Sequence, residues 1–180
     1  LTYCELHRSG SIFKGASWNY SGTTSLYHAY WKALSPSGVN LACQQGLRPV
    51  LGGRNKDKLN QQAKARHLDY RVFDLSDLTQ TKDAIREFAA VIHCAGPFID
   101  TYQQMAAACL ETKTHYLDIT GEIAVIEALS ALDTKAKTAG ILLLPGAGFD
   151  VVPTDCLAQY LKSRLPDANS LTLAISSLSS

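Results

Sequence analysis

The sequence predicts an α/β domain built on a doubly wound parallel sheet. From Gly46 onward, short runs rich in Val, Ile, Leu, Tyr and Phe alternate with helical patterns about 10 to 18 residues long, the rhythm of crossover βαβ units. The apolar runs are nearly continuous rather than alternating, as expected of strands buried on both faces. A chain of 180 residues that is 46% hydrophobic and 18% charged has the composition of a folded domain with a sizeable core.

The strands are expected at 47–53, 69–75, 89–96, 114–119, 140–146 and 170–176, each rich in strand-forming residues and most ending in Gly or Asp. Helices are expected between them, at 55–66, 77–88, 100–112, 121–139 and 153–165. Most open on Asn, Asp, Thr or Pro, residues that start helices well. Ile123, Ile126, Leu129 and Leu132 form an apolar stripe at helical spacing, read as a helix packing on the sheet. Residues 1–45 read as an irregular or atypical first βα unit. "SIFKGAS" (11–17) could be a first strand, and the helical pattern after it is broken at Ser35-Pro36-Ser37-Gly38. Residues 46–169 read as one α/β unit, and the chain stops within 170–180, midway through what looks like a further strand.

Composition excludes several functions. The 17 basic and 16 acidic residues are interspersed, without the basic run of a nucleic-acid binder. Five widely spaced cysteines with no CxxC or Cys/His spacing argue for reduced thiols and against zinc, so no metal is expected and a cytoplasmic location is. The longest apolar runs fall short of the roughly 18 residues a membrane span requires. Ser-His-Asp chemistry lacks a GxSxG elbow. His93 and His115 lie in or at apolar strands, and Cys94 and Cys109 have no adjacent base, so packing is the expected role of all four. No catalytic residue is assigned.

Doubly wound sheets bind ligands beyond the carboxyl ends of their strands, which makes the following residues the candidates. After 47–53 comes Gly53-Arg54-Asn55-Lys56, with an Arg where an acidic residue would meet the ribose hydroxyls of NAD. A guanidinium there suits a 2′-phosphate and hence NADP, unless Arg54 is simply solvated ahead of a helix capped by Asn55. Asp74 with Leu75 could meet an adenine edge, or Asp74 and Asp77 could cap the next helix. Cys94, Ala95, Gly96, Pro97 and Phe98 form a small-residue loop that lets backbone approach a ligand, or else an ordinary tight turn. Asp118 and Glu122 lie near another strand end, and Glu122 would be favoured in a helix's first turn by the macrodipole alone. Phe149 and Asp150 belong to a long loop between strand and helix, of the kind that lines sites.

The strings "GLRPVLGGRN", "YRVFDL", "VIHCAGPF", "HYLDITGE" and "LLPGAGFDVVPTDCLA", in this order from about Gly46 to Ser176, resemble the saccharopine dehydrogenase-like oxidoreductases, including their trans-acting enoyl reductase branch. The resemblance implies a Rossmann-like NADP-binding domain, here 46–169, followed by a second domain that closes over the cofactor and carries much of the substrate site, with 170–180 as its truncated start. It assigns Arg54 to the 2′-phosphate, with Asn55 beside it among the cofactor-binding residues, Asp74 and Leu75 to adenine, and 94–98 to the ribose and nicotinamide side. The substrate cleft would lie near Asp118, Glu122, Phe149 and Asp150. The family's first loop resembles Gly-Ala-Thr-Gly-Tyr-Thr-Gly, and Gly15, Ala16, Ser17, Tyr20, Ser21 and Gly22 are the residues that would match it. Between them, Trp18 or Asn19 stands where a Gly is needed, in a stretch one residue longer than the pattern. An alternative alignment uses Ser37-Gly38 and leaves a shorter helix before Gly46.

The expected function is NADP-dependent hydride transfer to a C=C or C=N bond of a small-molecule or lipid-like substrate, by a chain that could form homo-oligomers. The alternatives are a non-catalytic NADP-binding sensor or scaffold, and an inactive fragment.

Overall fold

The computed structural model describes residues 26–28, 36–148 and 151–172. Its sheet has six parallel strands: β1 Leu26–His28, β2 Val50–Gly53, β3 Tyr70–Val72, β4 Ala90–His93, β5 His115–Asp118 and β6 Leu143–Leu144, in the order β3-β2-β1-β4-β5-β6. The helices are α1 Pro36–Gln44, α2 Lys56–Lys64, α3 Leu78–Ile85, α4 Phe98–Thr112, α5 Ile123–Ser130, α6 Asp133–Ala139 and α7 Val152–Arg164. The order runs outward from β1 to β3 on one side and from β4 to β6 on the other, which places the topological switch point between β1 and β4.

Adjacent strand residues point to opposite faces, and β2 shows the consequence. Leu51 packs with Val39 of α1 and with Leu59 and Ala63 of α2. Its neighbour Val50 joins the larger cluster on the other face, where Ile85 of α3, Met105 and Cys109 of α4, Val125 and Leu129 of α5 and Ala136 of α6 meet Val91 and Tyr116. All four β2 residues are buried, which is why the strands read as continuous apolar runs.

The strands are shorter than the apolar runs that announce them. Pro49 has no N–H to offer the ladder, so the 47–53 run enters the sheet only at Val50. Pro145 and the positive φ of Gly146 (70°) similarly end β6 at Leu144. Of the run expected at 170–176, residues 170–172 are outside any strand and the rest lie outside the described residues.

Two expectations are corrected. The break read at Pro36-Ser37-Gly38 is the start of α1, with Pro36 in its first turn, where a missing N–H costs nothing; the first strand among the described residues is Leu26–His28, and 11–17 lie outside them. The single helix expected at 121–139 is two. The Ser130 hydroxyl donates to the Ile126 carbonyl at 2.8 Å, and the chain turns at Leu132, whose N–H donates to the Leu129 carbonyl at 3.0 Å before Asp133 begins α6. Elsewhere the caps are as expected: Asn55 Oδ1 accepts from the Lys58 N–H at 3.0 Å, and Asp77 Oδ1 from the Gln80 N–H at 2.9 Å.

Candidate functional site

Every strand is parallel, so all strand ends that could carry a ligand lie along one edge, with a crevice where the strand order reverses. Arg54 follows β2, and Asp74 lies just beyond β3. They face each other across adjacent strands, Arg54 Nη1 standing 4.0 Å from Asp74 Oδ2, with the side chains 51% and 47% exposed. At that exposure the pair is weak, and water or an anion can reach the guanidinium. Asp74 is held mainly by its own turn: its Oδ1 accepts from the Ser76 N–H at 3.0 Å and from the Ser76 hydroxyl at 2.9 Å. These two bonds, and less strongly Arg54, hold its pKa below the ordinary carboxylate value. The Asp74 N–H donates to Gln80 Oε1 at 3.0 Å, and Leu75 packs partly buried against the main core.

On the other side of the switch point, Cys94 and Ala95 leave β4 fully buried. Burial, reinforced by the nearby Asp118, pushes the Cys94 thiol up to about 12, so it stays protonated and inert as a nucleophile at neutral pH. Gly96 is partly exposed, and a Cβ there would meet only the Phe98 ring at ordinary contact distance. Pro97, following a cis bond, is the N-cap of α4 and supplies no side-chain cap of its own. The Thr101 hydroxyl donates to the Ala95 carbonyl and lies 3.0 Å from His93 Nε2, pinning the loop from the α4 side. His93 is buried, with its ring edge-on to Phe98 at 5.7 Å between centroids, the packing role its apolar strand suggests.

Asp118 and Glu122 are close in sequence and work on different partners. Asp118 is completely buried. Its Oδ1 accepts from the Thr120 N–H at 3.0 Å and the Gly146 N–H at 2.8 Å, and its Oδ2 from the Tyr116 hydroxyl at 2.7 Å. This carboxylate therefore ties the β6 loop to the end of β5, and burial beside it drives the Tyr116 hydroxyl far above its ordinary pKa. The β6 loop lies against it so closely that a Cβ on Gly148 would come within 2.8 Å of Ile119 Cβ. Glu122 reaches across to α4, its Oε1 accepting from the Phe98 N–H and its Oε2 from the Ile99 N–H, each at 2.9 Å.

Gly15, Ala16, Ser17, Tyr20, Ser21 and Gly22 lie outside the described residues, as do Phe149 and Asp150. In chain order, Gly15 to Gly22 precede β1, so the link from the carboxyl end of β1 to α1 is made by residues 29–35 instead. The first turn of α1, with the N–H groups of Ser37 and Gly38, therefore opens at the same edge as Arg54 and the 94–98 loop. The Pro at the head of that helix is the sequence signal for this start.

The sequence model of the saccharopine dehydrogenase NADP binding domain matches residues 39–144. A mouse saccharopine dehydrogenase-like oxidoreductase is 24% identical over 128 residues, covering 64% of this chain and 30% of the relative. A Caenorhabditis elegans lipid droplet localized protein is 26% identical over 136 residues, covering 69% of this chain and 32% of the relative. Among solved structures, apo saccharopine dehydrogenase (L-Glu forming) from Saccharomyces cerevisiae superposes with a TM-score of 0.70 at 15% identity, covering 81% of this chain and 32% of that one, a likeness of fold. The chain thus spans about a third of the length of the curated relatives it matches. The family carries NADP, and a reachable guanidinium after β2 with a small-residue loop across the crevice fits a dinucleotide bearing a 2′-phosphate. The chain belongs to the saccharopine dehydrogenase NADP-binding domain family, the NADP-binding part of the saccharopine dehydrogenase-like oxidoreductases.

Proposed function

We propose that this domain holds NADP for hydride transfer to a C=C or C=N bond of a small-molecule or lipid-like substrate. The observation that carries the reading is the half-exposed Arg54 guanidinium at the end of β2, placed beside Asp74 at the edge where the sheet opens. Arg54 pairs with the 2′-phosphate through charge-assisted bonds, and Asp74 and Leu75 meet the adenine edge. The first turn of α1 offers the N–H groups of Ser37 and Gly38 to the pyrophosphate, in place of Gly15 to Gly22. The 94–98 loop carries the ribose and nicotinamide side, and its small residues allow main chain to approach the ring.

The chemistry the cofactor supplies when bound is hydride transfer; what the protein must supply is orientation and exclusion of water. The curated relatives named saccharopine dehydrogenase-like oxidoreductases support hydride transfer, and one relative is named for its place on the lipid droplet, which is in keeping with a lipid-like substrate. The enoyl reductase branch corresponds to the C=C alternative. Phe149 and Asp150 are proposed to line the substrate side, with Asp118 and Glu122 behind them. A reducing compartment such as the cytoplasm suits the thiols, since Cys43, Cys94, Cys109 and Cys156 are all free. Among the described residues no helix is long and apolar enough to cross a membrane.

A second reading, an NADP-binding sensor or scaffold without turnover, is favoured by the engagement of both carboxylates: Asp118 is buried and Glu122 is committed to α4. The two readings separate on mixing the chain and NADPH with an α,β-unsaturated ketone or an imine. Consumption of NADPH with either compound supports the enzyme. NADPH bound but consumed with neither compound, also by a version extended to the length of the curated relatives, supports the sensor, and failure to bind NADPH at all overturns both.

A further inference from the structure

The main chain entering α4 is held by a side chain from a different loop. Pro97 brings neither an N–H nor a capping side chain, so the first free N–H groups of the helix are those of Phe98 and Ile99. Glu122, 24 and 23 residues further along, accepts one bond on each carboxylate oxygen, both at 2.9 Å. Its own N–H donates to Thr120 Oγ1 at 3.1 Å, and the Thr120 N–H donates to the buried Asp118 carboxylate. The 94–98 loop is thereby fastened, through Glu122, Thr120 and Asp118, to the end of β5 and to Gly146 of the β6 loop.

This loop flanks the switch-point crevice on the β4 side, opposite Arg54. A dinucleotide lying across the crevice has its adenosine half near β2 and β3 and its nicotinamide half near β4. Resting on the NADP reading, we propose that Glu122 is a positioning residue for the nicotinamide half of the cofactor: a two-pronged clamp on the Phe98 and Ile99 amides, and not an acid or base. The geometry requires both carboxylate oxygens as acceptors. Gln supplies one acceptor and turns an NH2 donor toward an N–H donor, so Glu122→Gln breaks the clamp while changing no volume.

The test is titration of NADP and of adenosine 2′,5′-bisphosphate, which lacks the nicotinamide half, into the full chain and its variants. Glu122→Gln is expected to weaken NADP about tenfold and leave the bisphosphate unchanged, because loss of a charge-assisted bond loosens only the loop under the nicotinamide. Glu127→Gln, the same charge change at an exposed α5 position, is expected to alter neither ligand. Equal weakening of both ligands by Glu122→Gln, or no weakening of NADP, overturns the clamp. Hydrogen exchange on the unaltered chain provides a measurement free of any folding defect: the Phe98 and Ile99 amides should gain protection with NADP and not with the bisphosphate. Equal protection by the two ligands would overturn the clamp while leaving the cofactor reading intact. A chain that binds neither ligand fails the cofactor reading itself, and the clamp with it.

Discussion

The two halves of the sheet's carboxyl edge are built on opposite principles. Beyond β2 and β3, Arg54 and Asp74 are half-exposed charges joined by a loose 4.0 Å pair and supported by local turns. Beyond β4, β5 and β6, the loops are sewn together by long-range bonds to Asp118 and Glu122, and Asp118, Cys94 and His93 are fully buried. The first half can exchange one ionic partner for another at little cost. The second owes its shape to long-range carboxylate bonds, and those of the buried Asp118 cannot be replaced by water. The difference suggests recognition by charge at one end of the dinucleotide and by a preset surface at the other.

The largest expected effect lies in the sewn half. Asp118→Ala strands the buried Tyr116 hydroxyl and the Thr120 and Gly146 N–H groups, and should cost on the order of 3 to 5 kcal/mol in urea unfolding. A loss below about 1 kcal/mol would mean these donors find other acceptors.

An alkaline titration comes next. The Cys94 thiol rises from 9.0 to about 12 in the folded chain, so its contribution to stability is complete below pH 9 and is lost as the pH rises toward 12. Cys94 should account for on the order of 2 to 4 kcal/mol of the decline over that window, the rest falling to Cys109 and Tyr116, which burial also raises; the decline should shrink by that share in Cys94→Ala, measured against the variant's own neutral-pH stability. An equal decline in both proteins would assign the alkaline loss to other groups.

Asp74→Asn is the matched probe of the exposed half and has the smallest expected effect, below about 1 kcal/mol at pH 7. The sign of its pH dependence is the reverse of the thiol's. The Asp74 pKa is lowered on folding, chiefly by Ser76, so its stabilisation is present above the ordinary value of 3.8 and is lost as pH falls through the folded value. The variant should lack that acid-side loss. A change as large as that of Asp118→Ala would erase the contrast between the halves.

What the sequence discloses follows the same division. Local signals were legible: Asn55 and Asp77 cap α2 and α3 as their positions suggest, and the apolar runs mark β2 to β6. Arg54 could be singled out because its meaning depends on one strand end. β1 was not legible, since Leu26–His28 is a strand only by virtue of β2 and β4 on either side of it. Pro36 read as a break because the same residue that interrupts a helix also begins one. Asp118 and Glu122 stand in the sequence as carboxylates near a strand end, but their partners at Gly146 and Phe98 are more than twenty residues away, and only the folded sheet brings them together.

On the function proposed above, the exposed half selects the 2′-phosphate through Arg54. Calorimetric titration of NADP and NAD into the chain and into Arg54→Ala tests it most directly. NADP should bind more tightly than NAD to the unaltered chain. In Arg54→Ala, NADP should lose on the order of 1.5 to 3 kcal/mol while NAD is unaffected. Equal affinities for the two dinucleotides in both proteins would contradict it.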